Sequence, residues 1–335
     1  MKPRLLRLFV LPLSGVLVVT GLATMSSASS VTTVNVVGYS TVSAAYSALE
    51  MAFQTTPAGQ GVTFTNSFGP SGTQAQDVVA GQPADIVNLS LEPDMQTVVS
   101  AGLVSTNWAS NPIVKSEHGM VTDSTVVLVV RPGNPLGIKG WNNLSNASVQ
   151  LITPDPISSG SAKWNLLAAY ESQLEQGRSA KQAKSYLNTL ISRVIAEPSS
   201  GSKALSSFLA GTGNVLLAYE SDALTAGPGS KFQIIYPKQN LLIENPAALT
   251  TTGLAKPAAV AFFNYLFSIP GQSILMTQHY RSTLSVFQKA VKSQFYTPSS
   301  LITIAKMGGW TKVWNKFFAT NGLVTLDEAA HGYTS

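Results

Sequence analysis

The sequence predicts an α/β protein of two domains or lobes, each a mainly parallel sheet with helices on both faces. Three observations predict it. Short apolar, β-branched runs alternate with helical patterns, the rhythm of strands each followed by a packing helix. The 335 residues exceed one ordinary domain. Hydrophobic residues make up 44% and charged residues 11%, with no cysteine. Such a chain buries a core rather than staying disordered, and it carries no disulfide, thiolate metal site or Cys nucleophile.

Residues 1–28 read as a secretory signal peptide. Lys2, Arg4 and Arg7 precede an apolar stretch from Leu8 to Ala23, and Ser26, Ser27 and Ala28 suit a small-residue cleavage site. The alternative is an uncleaved anchor, for which the apolar stretch is short against the ~20 residues of a span. The expected location is periplasmic or otherwise extracytoplasmic. Without the leader, 18 basic residues face 16 acidic ones instead of a net +5. Nucleic-acid binding needs a basic stripe, and none is present.

Along the mature chain, strands are predicted at 31–37, 62–67, 85–89, 125–130, 149–152, 193–196, 214–219 and 232–236. Helical patterns occupy 42–53, 74–80, 162–176, 180–191, 203–210 and 255–267. The Pro/Gly-rich stretch 131–140 reads as a surface loop. From Val286 onward the strand–helix rhythm is lost, and the segment reads as helical trim.

Four strand-to-helix junctions share one chemistry: Gly38-Tyr39-Ser40-Thr41, Gly69-Pro70-Ser71-Gly72-Thr73, Thr153 to Ser161 ending Ser158-Ser159-Gly160-Ser161, and Glu197-Pro198-Ser199-Ser200-Gly201-Ser202. The first N–H groups of a helix have no intrahelical partner and point outward at the positive end of its dipole. Glycine lets a ligand approach the backbone, and serine adds a hydroxyl. Together they make an anion site without a charged side chain, and open α/β sheets gather such junctions at the carboxyl ends of their strands. Each junction taken alone is also an ordinary N-cap.

Other chemistries lack their residues. His118, His279 and His331 have no metal-ligand spacing, and no phosphate loop, dinucleotide fingerprint or Gly-x-Ser-x-Gly elbow occurs. Ser200-Gly201-Ser202-Lys203 matches the Ser-x-x-Lys pattern of penicillin-binding enzymes, but Ser-Asp-Asn and Lys-Thr-Gly partners are missing. No cofactor is implied.

The chain resembles the periplasmic sulfate/thiosulfate-binding proteins of ABC importers over roughly residues 33–328. The likeness is strongest in Asp123-Ser124-Thr125-Val126-Val127, Arg131-Pro132-Gly133-Asn134-Pro135, Gly137-Ile138-Lys139-Gly140-Trp141, and Val149-Gln150-Leu151-Ile152-Thr153-Pro154 through Ser158-Ser159-Gly160-Ser161-Ala162-Lys163-Trp164-Asn165. Gly69-Pro70-Ser71-Gly72, Asn214 to Glu220 and Pro270-Gly271-Gln272 extend it. The resemblance implies a two-lobed periplasmic-binding-protein fold with the ligand cleft between the lobes. One lobe would be 29–121 with 222–335, the other 122–221. It implies a non-enzymatic monomer that binds an inorganic oxyanion, sulfate first, and delivers it to transmembrane and ATPase subunits. A phosphate, molybdate or tungstate receptor, a signalling subunit and a secreted hydrolase using Ser200 and Lys203 are the alternatives.

Carried over from the family, the anion donors are the Ser40 N–H, the Ser71 hydroxyl, the Ser159 hydroxyl or N–H, the Gly160 and Ser161 N–H groups, and an N–H of the turn holding Ser200 and Gly201. Tyr219 stands where the family commonly has a Trp donor. Asp155 replaces Asn and Ser161 replaces Gly. Selectivity turns on one question. Sulfate has no proton and suits a donor-only wall, whereas hydrogen phosphate needs an acceptor. Asp155 and Asp85 are the expected candidates for such a carboxylate.

Overall fold

The computed structural model describes residues 31–114 and 116–332; the predicted leader at 1–28 lies outside them. The chain begins with β1 (Thr32–Tyr39), a 3-10 turn at Ser40–Val42 and α1 (Ser43–Gln54). It continues through β2 (Val62–Gly69), α2 (Ser71–Val79), β3 (Ile86–Asn88), α3 (Glu92–Ser100) and the long β4 (Met120–Val130). Then come β5 (Leu151–Ile152), α4 (Gly160–Glu175), α5 (Ala180–Ile191), β6 (Val194–Ala196), α6 (Gly201–Leu209), β7 (Val215–Tyr219), α7 (Glu220–Ala226) and β8 (Gln233–Ile235). The long β9 (Gln239–Leu249) precedes α8 (Thr251–Leu254), α9 (Pro257–Leu266), α10 (Ile269–Thr277), α11 (Gln288–Gln294), β10 (Ser300–Ile302), α12 (Trp310–Phe317) and α13 (Leu323–Ala330).

The strand order is β2-β1-β3-β9-β4-β7-β5-β6. β1 runs parallel to β2 and β3, and β5 runs parallel to β6 and β7. These two parallel groups are the α/β pattern that the sequence predicts. They are joined by β4 and β9, which pair antiparallel with each other through Thr125↔Leu242 and Asp123↔Glu244. The far end of β9 pairs antiparallel with β3, and that of β4 with β7 and β8.

Local chemistry explains the elements. Val126, Val127, Leu128, Val129 and Val130 are all buried, as expected of a strand covered on both faces. Ser179 and Gln182 form a reciprocal capping box that starts α5. α4 is buried on nearly every side from Gly160 to Tyr170, the mark of a helix packed between other elements.

Two expectations need correction. The region after Val286 is helical in α11, α12 and α13, but β10 pairs parallel with β9 through Leu301↔Asn240. β9 itself was unexpected, because Asn240, Glu244, Asn245 and Pro246 interrupt its apolar pattern. Each strand of the parallel groups ends at a junction that faces one end of its group, which places the four Ser/Gly turns near one another.

Candidate functional site

Five of the expected residues, Ser40, Ser71, Ser159, Gly160 and Ser161, line one small cavity. Tyr39, Thr41, Pro70 and Ser90 complete its wall, and its volume is about 10 Å³, roughly the room one water requires. None of these nine side chains carries a charge. Ser71 opens α2 and Gly160 opens α4, so two helix starts and the Ser40–Val42 turn border the same space. The dipoles of α2 and α4 favour negative charge there. Thr41 Oγ1 is buried and has no hydrogen-bond partner.

Ser90 organises this wall. Its N–H donates to Ser71 Oγ at 2.8 Å, and its carbonyl accepts from Trp164 Nε1 at 2.9 Å and Asn245 Nδ2 at 2.8 Å. Its hydroxyl bonds Tyr219 OH at 2.7 Å. Elements from both parallel groups and from β9 thus meet at one serine. Asn245 also accepts from Tyr39 OH and Thr122 Oγ1. Ser90 and α3 escaped the sequence reading. The available signal was a fifth strand-to-helix junction, Asn88-Leu89-Ser90-Leu91 before Glu92-Pro93, with Pro in the first turn.

The hydroxyls are assigned differently from expectation. Ser71 Oγ donates to Asp94 Oδ2 at 2.6 Å, so its one proton is committed away from the cavity. The Ser159 N–H goes to the Asp155 carbonyl, and its hydroxyl bonds Ser161 Oγ at 2.9 Å. Ser200 and Tyr219 do not line the cavity. Ser200 Oγ caps α6 by accepting from the Lys203 N–H at 3.3 Å, and Tyr219 stands behind Ser90. Gly201 adjoins the cavity: a Cβ there would lie 3.0 Å from Ser161 Oγ and 3.1 Å from Thr41 Cγ2. The Ser202 N–H reaches Ser40 Oγ at 3.4 Å. Lys203 Nζ donates to Ser199, not to Ser200, so the Ser-x-x-Lys match does not assemble a nucleophile with its base.

The two expected carboxylates are elsewhere. Asp155 stabilises its own turn, accepting from the Ile157 N–H at 2.8 Å and Ser158 Oγ at 2.7 Å. Asp85 pairs with Lys256 at the opposite end of β3. Asp94 bonds the Ser71 hydroxyl of the wall, and Asp222 Oδ2 lies 3.6 Å from the Cβ position of Gly201. Burial pushes the Asp94 carboxyl up, opposed by Lys163 and by the Ser71 hydrogen bond. Among the described residues, no group of three or more His, Asp or Glu side chains could hold a metal ion.

A groove of about 1040 Å³, lined in part by Asp94, Lys163, Trp310 and Trp314, lies alongside. The Gly72 N–H donates to the Ser158 carbonyl at 3.0 Å, joining α2 to the loop before α4 where groove and cavity adjoin.

The sequence profile of bacterial extracellular solute-binding proteins matches residues 34–281. The chain belongs to that family. A sulfate-binding protein of Synechococcus elongatus is 32% identical over 301 residues, covering 86% of this chain and 84% of its own. A sulfate-binding protein of Escherichia coli is 32% identical over 279 residues, covering 81% and 83%. Among solved structures, the sulfate-binding protein SubI of Mycobacterium tuberculosis superimposes with a TM-score of 0.81 at 36% identity, covering 86% of this chain and 99% of that one. The resemblance read from the sequence blocks therefore stands, as does the two-lobed α/β fold. The family consists of binding proteins rather than enzymes, and it places the protein outside the cytoplasm.

Proposed function

We propose that this protein captures a tetrahedral oxyanion, sulfate foremost, in the cavity beside Ser90 and delivers it to an ABC importer. The observation that carries this reading is the wall itself: two helix starts and several hydroxyls converge on a space with no charged side chain. The bound dianion is held by the backbone N–H groups of Ser40, Ser71, Gly160 and Ser161, by an N–H of the Ser200–Gly201 turn, by the Thr41 hydroxyl, and by whichever of the Ser159 and Ser161 hydroxyls accepts in the bond they share. Ser90, rather than Tyr219, lines the cavity, and Tyr219 orients the Ser90 hydroxyl. The absence of a carboxylate among the lining residues favours an anion without a proton. The sulfate-binding relatives support the same choice.

The lobe division proposed is 29–121 with the C-terminal part against a central segment beginning at 122; the pairing of β8 with β4 through Leu128↔Ile235 supports a central segment that runs past residue 222, with the return crossing in β9. β4 and β9 then form the hinge between the lobes, and anion capture closes it.

Titration calorimetry with sulfate, thiosulfate, phosphate and molybdate tests this reading. Sulfate binding at micromolar or tighter affinity, with phosphate weaker, is expected; no binding of any of the four removes it. Ser71→Ala is expected to weaken sulfate binding about tenfold, because it leaves the Ser90 N–H and Asp94 without a buried partner and loosens the start of α2. Unchanged affinity in that variant, with the fold intact by circular dichroism, would contradict the placement of Ser71.

A further inference from the structure

Asp222 is an acidic side chain close to the cavity, beside the Thr41 hydroxyl, and no ion pair among the described residues engages it. It is 7% exposed. A point at the Cβ position of Gly201 lies 3.0 Å from Ser161 Oγ, 3.1 Å from Thr41 Cγ2 and 3.6 Å from Asp222 Oδ2. Two atoms of the cavity wall and the carboxylate therefore converge at the start of α6. The titratable groups facing Asp222 are all tyrosines: Tyr39 from β1, Tyr219 from β7, and Tyr280 from the segment after α10. All three are buried, and burial pushes each phenol above its ordinary value, so they stay neutral around it. Among the described residues, the ion pairs are Lys256–Asp85 and Arg281–Glu220, and neither engages Asp222.

We infer that Asp222 is a selectivity residue that ties oxyanion capture to a proton: the site accepts a dianion with Asp222 neutral and disfavours it with Asp222 ionised. The inference rests on the reading of the cavity as an oxyanion site. An ionised carboxylate a few ångströms from the wall repels a dianion across a low-dielectric interior. A neutral one adds no repulsion and leaves the helix dipoles unopposed. Burial pushes the Asp222 carboxyl up to about 7, opposed by the neighbouring Thr41 hydroxyl, so the change falls within the physiological range. The direction follows: binding is strong below this value and weakens as pH rises through it. Linkage makes the effect reciprocal, so anion binding raises the affinity of Asp222 for its proton.

The test uses inorganic sulfate, whose own charge does not change across neutral pH. Calorimetry of the full protein should show affinity falling about tenfold or more between about pH 6 and pH 8.5. Near neutral pH, titrations in buffers of different ionisation enthalpy should show proton uptake on binding. Asp222→Asn should bind sulfate with neither the pH dependence nor the proton uptake. Flat, tight binding by the wild type without proton uptake overturns the inference while leaving the oxyanion site intact. So does the same pH profile in both proteins, which assigns the proton to another group. No sulfate binding by the wild type at any pH removes the site, and the inference with it. The proton-uptake measurement needs no variant, so it decides the matter even if Asp222→Asn fails to fold.

Discussion

Gly160→Ala is expected to abolish measurable sulfate binding, a loss of about 100-fold or more. A Cβ at this position would lie 2.5 Å from Ser90 Cβ and Oγ and 2.7 Å from Leu91 Cδ2. Neither neighbour can give way cheaply. Ser90 is 1% exposed and Leu91 fully buried, and Ser90 is tied to Ser71, Trp164, Asn245 and Tyr219 at once. The start of α4 must therefore move, carrying the Gly160 and Ser161 N–H groups away from the cavity. Overpacking of this kind costs about 1–3 kcal/mol of stability, which leaves a folded protein to measure. Gly140→Ala is the comparison: a Cβ there meets nothing within 4 Å, and its affinity should match the wild type. Calorimetry decides affinity, and thermal unfolding separates lost binding from lost folding. Wild-type affinity in Gly160→Ala would show that α4 does not border the bound anion.

Arg281→Ala is expected to destabilise the fold by about 3–5 kcal/mol near neutral pH. Arg281 Nε donates to Glu220 Oε2 at 2.8 Å, and its terminal nitrogen reaches Glu220 Oε1 at 3.1 Å and the Tyr296 carbonyl at 2.6 Å. The guanidinium also lies over the Phe295 ring, 5.2 Å from its centroid. Glu220 is 1% exposed, so removing the arginine strands a carboxylate in the interior beside Tyr219. Burial already raises the Glu220 carboxyl despite Arg281, and Asp123 is pushed up to about 8 by burial and by Glu244, with Arg281 opposing. For carboxyls raised in the folded state, stability is greatest at low pH and is lost as pH rises from the unfolded value through the folded one. The destabilisation by Arg281→Ala should therefore grow from about pH 4.5 upward and be small in acid, where the carboxyls are neutral. Urea unfolding across this range checks it. The double change Arg281→Met with Glu220→Leu should recover much of the loss, since an apolar pair removes the stranded charge. A loss below about 1 kcal/mol at neutral pH would show that the pair is solvated rather than interior.

Much of the fold is legible in the chain. The β-branched runs at 31–37, 62–67 and 125–130 sit inside β1, β2 and β4 apart from Val31, and 180–191 coincides with α5. Where the reading failed, polar residues inside a strand were the cause. β9 carries Asn240, Asn245 and Pro246, which argue against a strand when only local pattern is considered. In three dimensions they are what the strand is for. Asn240 clamps both backbone groups of Val126, and Asn245 holds the Ser90 carbonyl. α3 was missed because its pattern is short and mixed, although Glu92 and Pro93 mark its start.

The sequence by itself carried the family resemblance and the Ser- and Gly-rich turns at helix starts, with no metal-ligand spacing beside them. It also located five residues that border one cavity. Only the tertiary structure decided which donors are free. A hydroxyl has one proton, and its destination depends on which distant atom lies within about 3 Å. Ser71 meets Asp94, Ser200 caps α6, and Tyr219 meets Ser90 across 129 residues of chain. Asp222 gained its place beside Ser161 in the same way, through packing between segments that no local pattern relates.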